Sequence, residues 1–196
     1  MYNAPVMETG SIALKEWAVI VEALATGRQI FLLRKGGIRD DRGAFRLEQS
    51  AFLFYPTFEH QQAEMIRPEF RQLFERELSG PADPNRVTLG LFGETAFVAE
   101  VRRPEALVGL ERFHVWTPEF FVKRMAYRPQ APTLVVGLRL FRLGRPALHP
   151  VDPAYAGCKS WVPLTAPVPI GERERVGVAA EADAALKELR RKLSSS

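Results

Sequence analysis

The chain has 196 residues, of which 46% are hydrophobic and 26% are charged, and its formal net charge is +4 at pH 7. This length suits one well-cored domain with at most a small appendage, and the composition excludes a chain that is disordered throughout. The single cysteine excludes an internal disulfide, and the sequence contains no run of about 18 apolar residues and no signal-peptide pattern at its N-terminus. We therefore expect a cytoplasmic protein that does not span a membrane.

The first predicted element is a helix that starts at Thr9 or Ser11 and runs to about Thr26, because apolar residues recur there at helical spacing. A short apolar segment, 30–33, follows and predicts a buried strand. The aromatic segment 51–58 predicts a second strand.

The middle of the chain is predicted to form a helix and then a hairpin. The helix covers about 60–80, and Pro68 divides it, because proline removes a backbone hydrogen bond within a helix. Segments 87–93 and 95–103 are predicted as two strands of a hairpin that turns near residues 93–94.

The last third begins with a helix that Thr117 and Pro118 are expected to start. The alternating segment 132–143 predicts a strand, 143–161 reads as a long loop, and a charged helix is expected from 171 to 193.

This order contains more strands than a regular alternation of strands and helices would give, which favours an α+β fold. We expect a mixed, partly closed, barrel-like sheet with helices packed outside it and a C-terminal helix. The predicted organisation is one domain over 1–170, followed by a charged helix and tail over 171–196.

Positive charge is concentrated in two segments. Residues 28–46 hold six Lys or Arg against two Asp, and residues 101–146 hold nine against three Glu. If the two segments meet in space, they form a basic face suited to phosphate groups. The alternative is that the charges scatter over an ordinary solvated surface.

Several residues in these regions are candidates for nucleic-acid binding. Arg34 and Lys35 precede a Gly-Gly turn whose backbone N–H groups suit an anion. Aromatic residues beside basic ones could stack bases while the cations meet phosphate, although loop anchors use the same residue types. These further candidates are Trp116, Tyr127, Arg128, Tyr155, Lys159 and Trp161.

The string FYPTFEHQ contains the candidate catalytic residues Glu59 and His60. His60 or His114 could act as a general base, and Lys35 could hold developing negative charge. The alternative role for Glu59 is to cap the helix that follows. The three histidines and one cysteine show no metal-ligand spacing, so we expect no metal and no cofactor.

Taken together, several longer strings resemble the DUF1802 family of bacterial proteins over roughly residues 12–165. This resemblance implies a cytoplasmic protein without an established activity. Some members are fused to a restriction-endonuclease-like domain, which implies a connection with DNA restriction or processing. The strings are ALKEWAVIVEAL, GRQIFLLRKGGI, FYPTFEHQ, HVWTPEFF, YRPQAPTLVVGLRLFRL and YAGCKSW.

The string ALATGRQIFLLRKG is also similar to the opening of PUA-like and ASCH domains. That similarity implies a small β-barrel that binds RNA or modified bases. It would place Lys35 near the cleft, with Tyr127 and Lys159 as companions.

The leading functional prediction is a nucleic-acid-binding module with a basic, aromatic-lined cleft. One alternative is a small hydrolase or nuclease that uses His60 or His114 with Lys35. Another is a protein-interaction accessory that uses the apolar stripe at Leu186, Leu189 and Leu193 of the C-terminal helix. The sequence leaves the oligomeric state open.

Overall fold

The computed structural model describes residues 8–35, 49–78, 80, 83–127, 129–157 and 159–194. These residues form a mixed α+β fold, as predicted, with four α-helices, the last of them C-terminal, and one sheet of seven strands. In chain order the elements are β1 (Thr9–Trp17), α1 (Ala18–Ala25), β2 (Phe31–Lys35), β3 (Ala51–Thr57), α2 (Arg71–Leu78), β4 (Arg86–Val101), α3 (Pro118–Ala126), β5 (Thr133–Pro150), β6 (Trp161–Pro169), β7 (Arg173–Arg175) and α4 (Ala179–Ser194).

The sheet is open. Its strand order is β2-β5-β4-β3-β1-β6, with β7 paired to β5, and β1 and β3 are parallel while the other pairs are antiparallel. Within the residues that the structure describes, the two ends of this order, β2 and β6, do not pair, so the prediction of a partly closed barrel is wrong. Three prolines in β6, Pro163, Pro167 and Pro169, lack the N–H groups that a further strand would need.

The predicted first helix is mostly a strand. Residues 9–17 form β1, which lies between β3 and β6, and only residues 18–25 are helical. Ala13 and Leu14 are both buried but belong to different core clusters. Because adjacent strand residues point to opposite faces, a strand buries both of them in a sheet that is covered on two sides.

The predicted hairpin is a single long strand, β4. Gly93 lies in mid-strand and pairs with Phe52 on one side and Leu140 on the other. A Cβ atom at Gly93 would lie 2.9 Å from Cε2 of Phe54, so the glycine makes room for this ring and does not form a turn. The neighbouring strand β5 is also longer than predicted and continues through 144–150.

The helices follow the predictions more closely. Among its described residues, the helix predicted over about 60–80 is α-helical only in α2. Before it lie two short 3₁₀ turns, at 63–65 and at 68–70, and Pro68 begins the second of them. Helix α3 begins at Pro118, directly after Thr117. Helix α4 starts at Ala179, eight residues later than expected, because 173–175 pairs with β5 as a strand.

Each face of the sheet carries its own core. Phe52 and Phe54 of β3 belong to the larger cluster, and the alternate residues Leu53 and Tyr55 belong to the smaller one. The leucine stripe of α4, including Leu189, packs into the larger cluster and is buried within the chain. Among the described residues, no helix is both long enough and apolar enough to cross a membrane.

Candidate functional site

A cleft of about 270 Å³ opens where distant segments of the chain meet. Its walls come from the end of β1, the strand β2, the turn after β3, the helix α3 with the residue Trp116 before it, and the loop that precedes β6. Five of the residues selected from the sequence line this cleft: Arg34, Glu59, His60, Trp116 and Lys159. The structure therefore brings together a substantial part of the predicted site.

Two arginines and one glutamate form the inner wall of the cleft. Arg34 places Nη2 3.0 Å from Oε2 of Glu16 and donates a hydrogen bond to the carbonyl oxygen of Lys15 at 3.2 Å. Arg124 donates from Nη2 to the carbonyl oxygen of Leu33 at 3.5 Å. Burial, and then the like charge of Arg34, lower the pKa of Arg124, while Glu16 acts in the opposite direction. Glu16 thus pairs with Arg34 and also acts electrostatically on Arg124.

Lys15 connects this wall to the loop before β6. Its Nζ atom donates hydrogen bonds to the carbonyl oxygens of Tyr155 at 2.9 Å and Gly157 at 3.1 Å, and it lies 3.9 Å from Oε2 of Glu59. Lys159, at the exposed rim, donates to a carbonyl oxygen of the same loop at 2.8 Å. Both lysines therefore hold the loop in place and add positive charge to the cleft.

Aromatic rings form the opposite wall. Trp116 and Phe120 are stacked, with ring centroids 4.7 Å apart and an interplanar angle of 4°. The other side of Trp116 faces the ring of His114 at 6.0 Å, and Trp116 is only 2% exposed. Phe120 and Trp17 are half-buried and contact each other edge to face at 6.1 Å. The ring surface that a ligand can reach therefore belongs to Phe120 and Trp17, with Trp116 as their support.

The segment FYPTFEHQ forms the end of β3 and the turn that follows it. The backbone N–H of Glu59 donates to Oγ1 of Thr57 at 3.4 Å, so a hydroxyl caps the turn. His60 is exposed at the cleft rim and has a φ of 59°, in the left-handed region that is unfavourable for residues other than glycine. Such backbone strain is concentrated at functional sites.

His114 lies in the core and not on the cleft surface. It is 1% exposed, and its ring is surrounded by Phe31, Trp116 and Phe121. Its Nδ1 atom accepts a hydrogen bond from the backbone N–H of Trp116 at 3.2 Å. Burial, followed by the nearby Arg67, lowers the pKa of His114 to about 4. A neutral, enclosed imidazole cannot reach a substrate in the cleft, so the proposed general-base role is unsuited to this position.

Lys35 lies outside the cleft, since adjacent residues of β2 point to opposite faces and Arg34 occupies the cleft side. Its Nζ atom donates to Oγ1 of Thr133 at 2.8 Å. It lines a separate cavity of about 340 Å³ together with Glu100 and Arg102. Burial, and then the charge of Arg124, lower the pKa of Lys35.

The remaining candidates are not gathered at the cleft. Tyr155 is buried, and its hydroxyl oxygen accepts a hydrogen bond from the backbone N–H of Thr165 at 2.9 Å. Trp161 packs edge to face on Phe52 at 5.1 Å. Tyr127 is exposed at the end of α3 but does not line the cleft. Arg128 lies outside the described residues, as does Cys158.

Sequence reasoning missed several residues that line the cleft. Because residues 9–17 were predicted as part of a helix, Lys15, Glu16 and Trp17 were not assigned to the site. They lie at the end of the strand β1 and line the cleft. Phe120 and Arg124 were assigned to a helix but not to the site, although their spacing of four residues places them on one helical face.

The family model described as domain of unknown function DUF1802 matches residues 13–187, which is most of the chain. The chain belongs to the DUF1802 family. All the cleft-lining residues of this DUF1802 chain lie within the matched range. No curated protein and no solved structure matches the chain. In the part of the DUF1802 chain that the structure describes, no group of three or more His, Cys, Asp or Glu residues is arranged to hold a metal ion.

Proposed function

We propose that this DUF1802 chain binds single-stranded nucleic acid, with at least one nucleotide seated in the cleft. The observation that supports this proposal most strongly is that arginine and lysine side chains share one cleft with accessible aromatic rings. Phosphates would meet the cations, and a base would pack against Phe120 and Trp17.

The charge balance of the cleft favours an anionic ligand. Its cations outnumber its carboxylates: the charged lining residues are Lys15, Arg34, Arg124 and Lys159 against Glu16 and Glu59. A concave site with an excess of one charge attracts ligands of the opposite charge more strongly than a flat surface does. The cleft would therefore concentrate phosphate-bearing molecules.

The aromatic wall favours a ligand with flat rings and an unpaired strand. Stacking of a base on an aromatic side chain contributes about 1–3 kcal/mol and tolerates any base sequence. A base within a duplex is already stacked and paired, so it cannot reach Phe120 inside a cleft of about 270 Å³. We therefore expect preference for single strands over duplexes, without strong sequence selection.

Fluorescence anisotropy with labelled single-stranded oligonucleotides across a salt series tests this proposal. Affinity should fall as salt rises, with a log–log slope of about −0.7 for each phosphate contact. Arg124→Gln should weaken binding by about tenfold or more, since it removes a buried charge-assisted contact. The control Arg145→Gln changes an arginine that is 91% exposed in its side chain and is not part of the cleft lining, and it should have little effect. Absence of binding at low salt would contradict the proposal.

A nuclease or other hydrolase is the second candidate, and one observation favours it. His60 is held in a left-handed backbone conformation at the cleft rim, close in sequence to Glu59, which lies 3.9 Å from Lys15. A cleavage assay with and without Mg²⁺ separates the two candidates. If the chain is a hydrolase, His60→Ala should abolish turnover and leave oligonucleotide affinity within about twofold. A connection with DNA restriction or processing would follow if cleavage were seen on DNA.

A further inference from the structure

The inner wall of the cleft contains hydrogen-bond donors that the fold leaves without partners. Among the described residues, seven buried side-chain polar atoms lack a hydrogen-bond partner, and three of them belong to residues that line this cleft. These three are Nε of Arg34, Nε of Arg124 and Nε1 of Trp116. Buried donors without partners cost free energy, and their clustering at one cleft indicates a ligand that supplies acceptors.

In each of the two guanidinium groups, one nitrogen of the edge formed by Nε and Nη2 is in use and the other has no partner within the described part of the chain. The hydrogen bonds and the ion pair described for Arg34 and Arg124 all use Nη2. Neighbouring atoms cover each Nε atom. An acceptor can therefore reach it only after the guanidinium rotates about the flexible torsions of the side chain. The edge formed by Nε and Nη2 binds two oxygens of one phosphate or carboxylate in parallel, which gives this pairing its geometric specificity. An entering phosphate would therefore compete with the acceptors that Nη2 now contacts.

The depth of these arginines restricts the form of phosphate that can reach them. The side chain of Arg34 is 15% exposed and that of its partner Glu16 is 16% exposed, whereas Glu59, at the rim, is 62% exposed. An internal phosphodiester carries a sugar on each side, so it needs a wider opening than a terminal phosphate does to reach these arginines. A terminal phosphate monoester has one substituent and three free oxygens, and it carries a charge of about −1.5 to −2 at pH 7, compared with −1 for a diester.

We propose that the inner end of the cleft, formed by Arg34 and Arg124, recognises the terminal phosphate monoester of a nucleic-acid strand or of a mononucleotide. This inference rests on the proposed function and makes it more specific, because it names the group that is bound most deeply. The strand behind the terminal phosphate would pass over Phe120 and leave the cleft beside Lys159 at the rim.

Competition binding with oligonucleotides of one sequence and different ends tests the inference. The competitors carry a 5′-phosphate, a 3′-phosphate or hydroxyls at both ends, and a nucleoside monophosphate and inorganic phosphate are tested beside them. One of the phosphorylated ends should bind about tenfold or more tightly than the hydroxyl form. Competition by the nucleoside monophosphate at similar concentrations would assign the site to mononucleotides, and competition by the phosphorylated oligonucleotide alone would assign it to strand ends.

Two variants test the residues. Arg34→Lys and Arg124→Lys keep the charge but remove the planar fork, so each should bring the affinity ratio between phosphorylated and hydroxyl ends close to one. Arg145→Lys is the control and should leave the ratio unchanged. If wild-type protein binds both kinds of end equally, the inference is overturned and the proposed function stands. If it binds none of the oligonucleotides, both fail. Melting curves of each variant verify that the fold is retained.

Discussion

Glu16 forms an ion pair with Arg34 and acts to raise the pKa of Arg124, so the substitution Glu16→Gln separates the contribution of this carboxylate to stability from its effect on ligand binding. The charged oxygen Oε2 lies 3.0 Å from Nη2 of Arg34, and both side chains are about 15% exposed. The other carboxylate oxygen of Glu16, Oε1, accepts a hydrogen bond from the backbone N–H of Trp17 at 2.9 Å, and a glutamine oxygen can still accept this bond. The substitution therefore removes the charge and little else.

The expected loss of stability in Glu16→Gln follows from the burial of the Glu16–Arg34 ion pair. Removal of one partner from a fully buried ion pair costs about 3–5 kcal/mol, whereas an exposed pair contributes at most about 1 kcal/mol. For a pair that is mostly but not fully enclosed, we expect a loss of about 2–3 kcal/mol in the free energy of unfolding. In a chain of this length, that loss lowers Tm by about 5–10 °C. Glu16→Gln should also bind phosphate-bearing ligands more tightly, because two guanidinium groups then face no carboxylate on the inner wall.

Urea unfolding and thermal melts, each with and without a phosphorylated oligonucleotide, measure both effects. The ligand should raise the Tm of Glu16→Gln by more than it raises that of the wild type. The matched control is Glu172→Gln, whose partner Arg145 is 4.0 Å away and whose pair is almost fully exposed. It should change stability by less than about 0.5 kcal/mol. An unchanged Tm for Glu16→Gln, or weaker ligand binding by it, would refute the account of the inner wall.

Three further predictions concern the core and the aromatic wall. Gly137→Ala should destabilise the fold by about 3 kcal/mol in urea unfolding, because the new Cβ atom would lie 2.3 Å from Cε1 of Phe97. Burial lowers the pKa of His114 to about 4 and also lowers that of His149. The folded state therefore binds fewer protons than the unfolded state, and the free energy of unfolding should fall as pH drops from about 6.5 to 5, by roughly 2 kcal/mol for His114 alone. Phe120→Ala should weaken single-strand affinity by about 1–3 kcal/mol in anisotropy titrations.

Each of these predictions has its own control. Gly171→Ala adds a Cβ atom that meets nothing within 4 Å, so it should be nearly neutral, and equal losses for both glycines would contradict the packing argument. His114→Gln should flatten the pH dependence, and an unchanged slope would show that this imidazole does not titrate as described. Val122→Ala changes an exposed residue of the same helix as Phe120, and it should leave oligonucleotide affinity unaffected.

The fold could be predicted where local signals were unambiguous. Pro118 after Thr117 marked the start of α3, and Pro68 marked the start of the 3₁₀ turn that leads into α2, because proline favours the first turn of a helix. The prediction of a helix over 9–17 was wrong, because the apolar spacing of this segment fits a helix as well as a strand that is buried on both faces. Gly93 was misread as a turn, since only the position of Phe54 shows that the glycine admits a ring.

The candidate site was predicted only in part, because its geometry also depends on contacts between distant segments. Convergence of Arg34, His60 and Lys159 depends on sheet order, which a single sequence does not contain, although charge and residue type indicated that these residues belonged together. Lys35 was expected in the same cleft, but the alternation of β2 places it on the other face. Cytoplasmic location, the domain boundary at 170–171 and nucleic-acid binding remain predictions.

Backbone amide chemical-shift mapping with a 5′- or 3′-phosphorylated single-stranded oligonucleotide tests the central claim most directly, because it locates the bound ligand. We predict that the largest shifts occur in residues 15–17, 57–60, 116–124 and 159–160, and that they decrease as salt increases. Shifts concentrated instead on α4 and the strand β7, or none at oligonucleotide concentrations of about 1 mM at low salt, would contradict binding in the cleft.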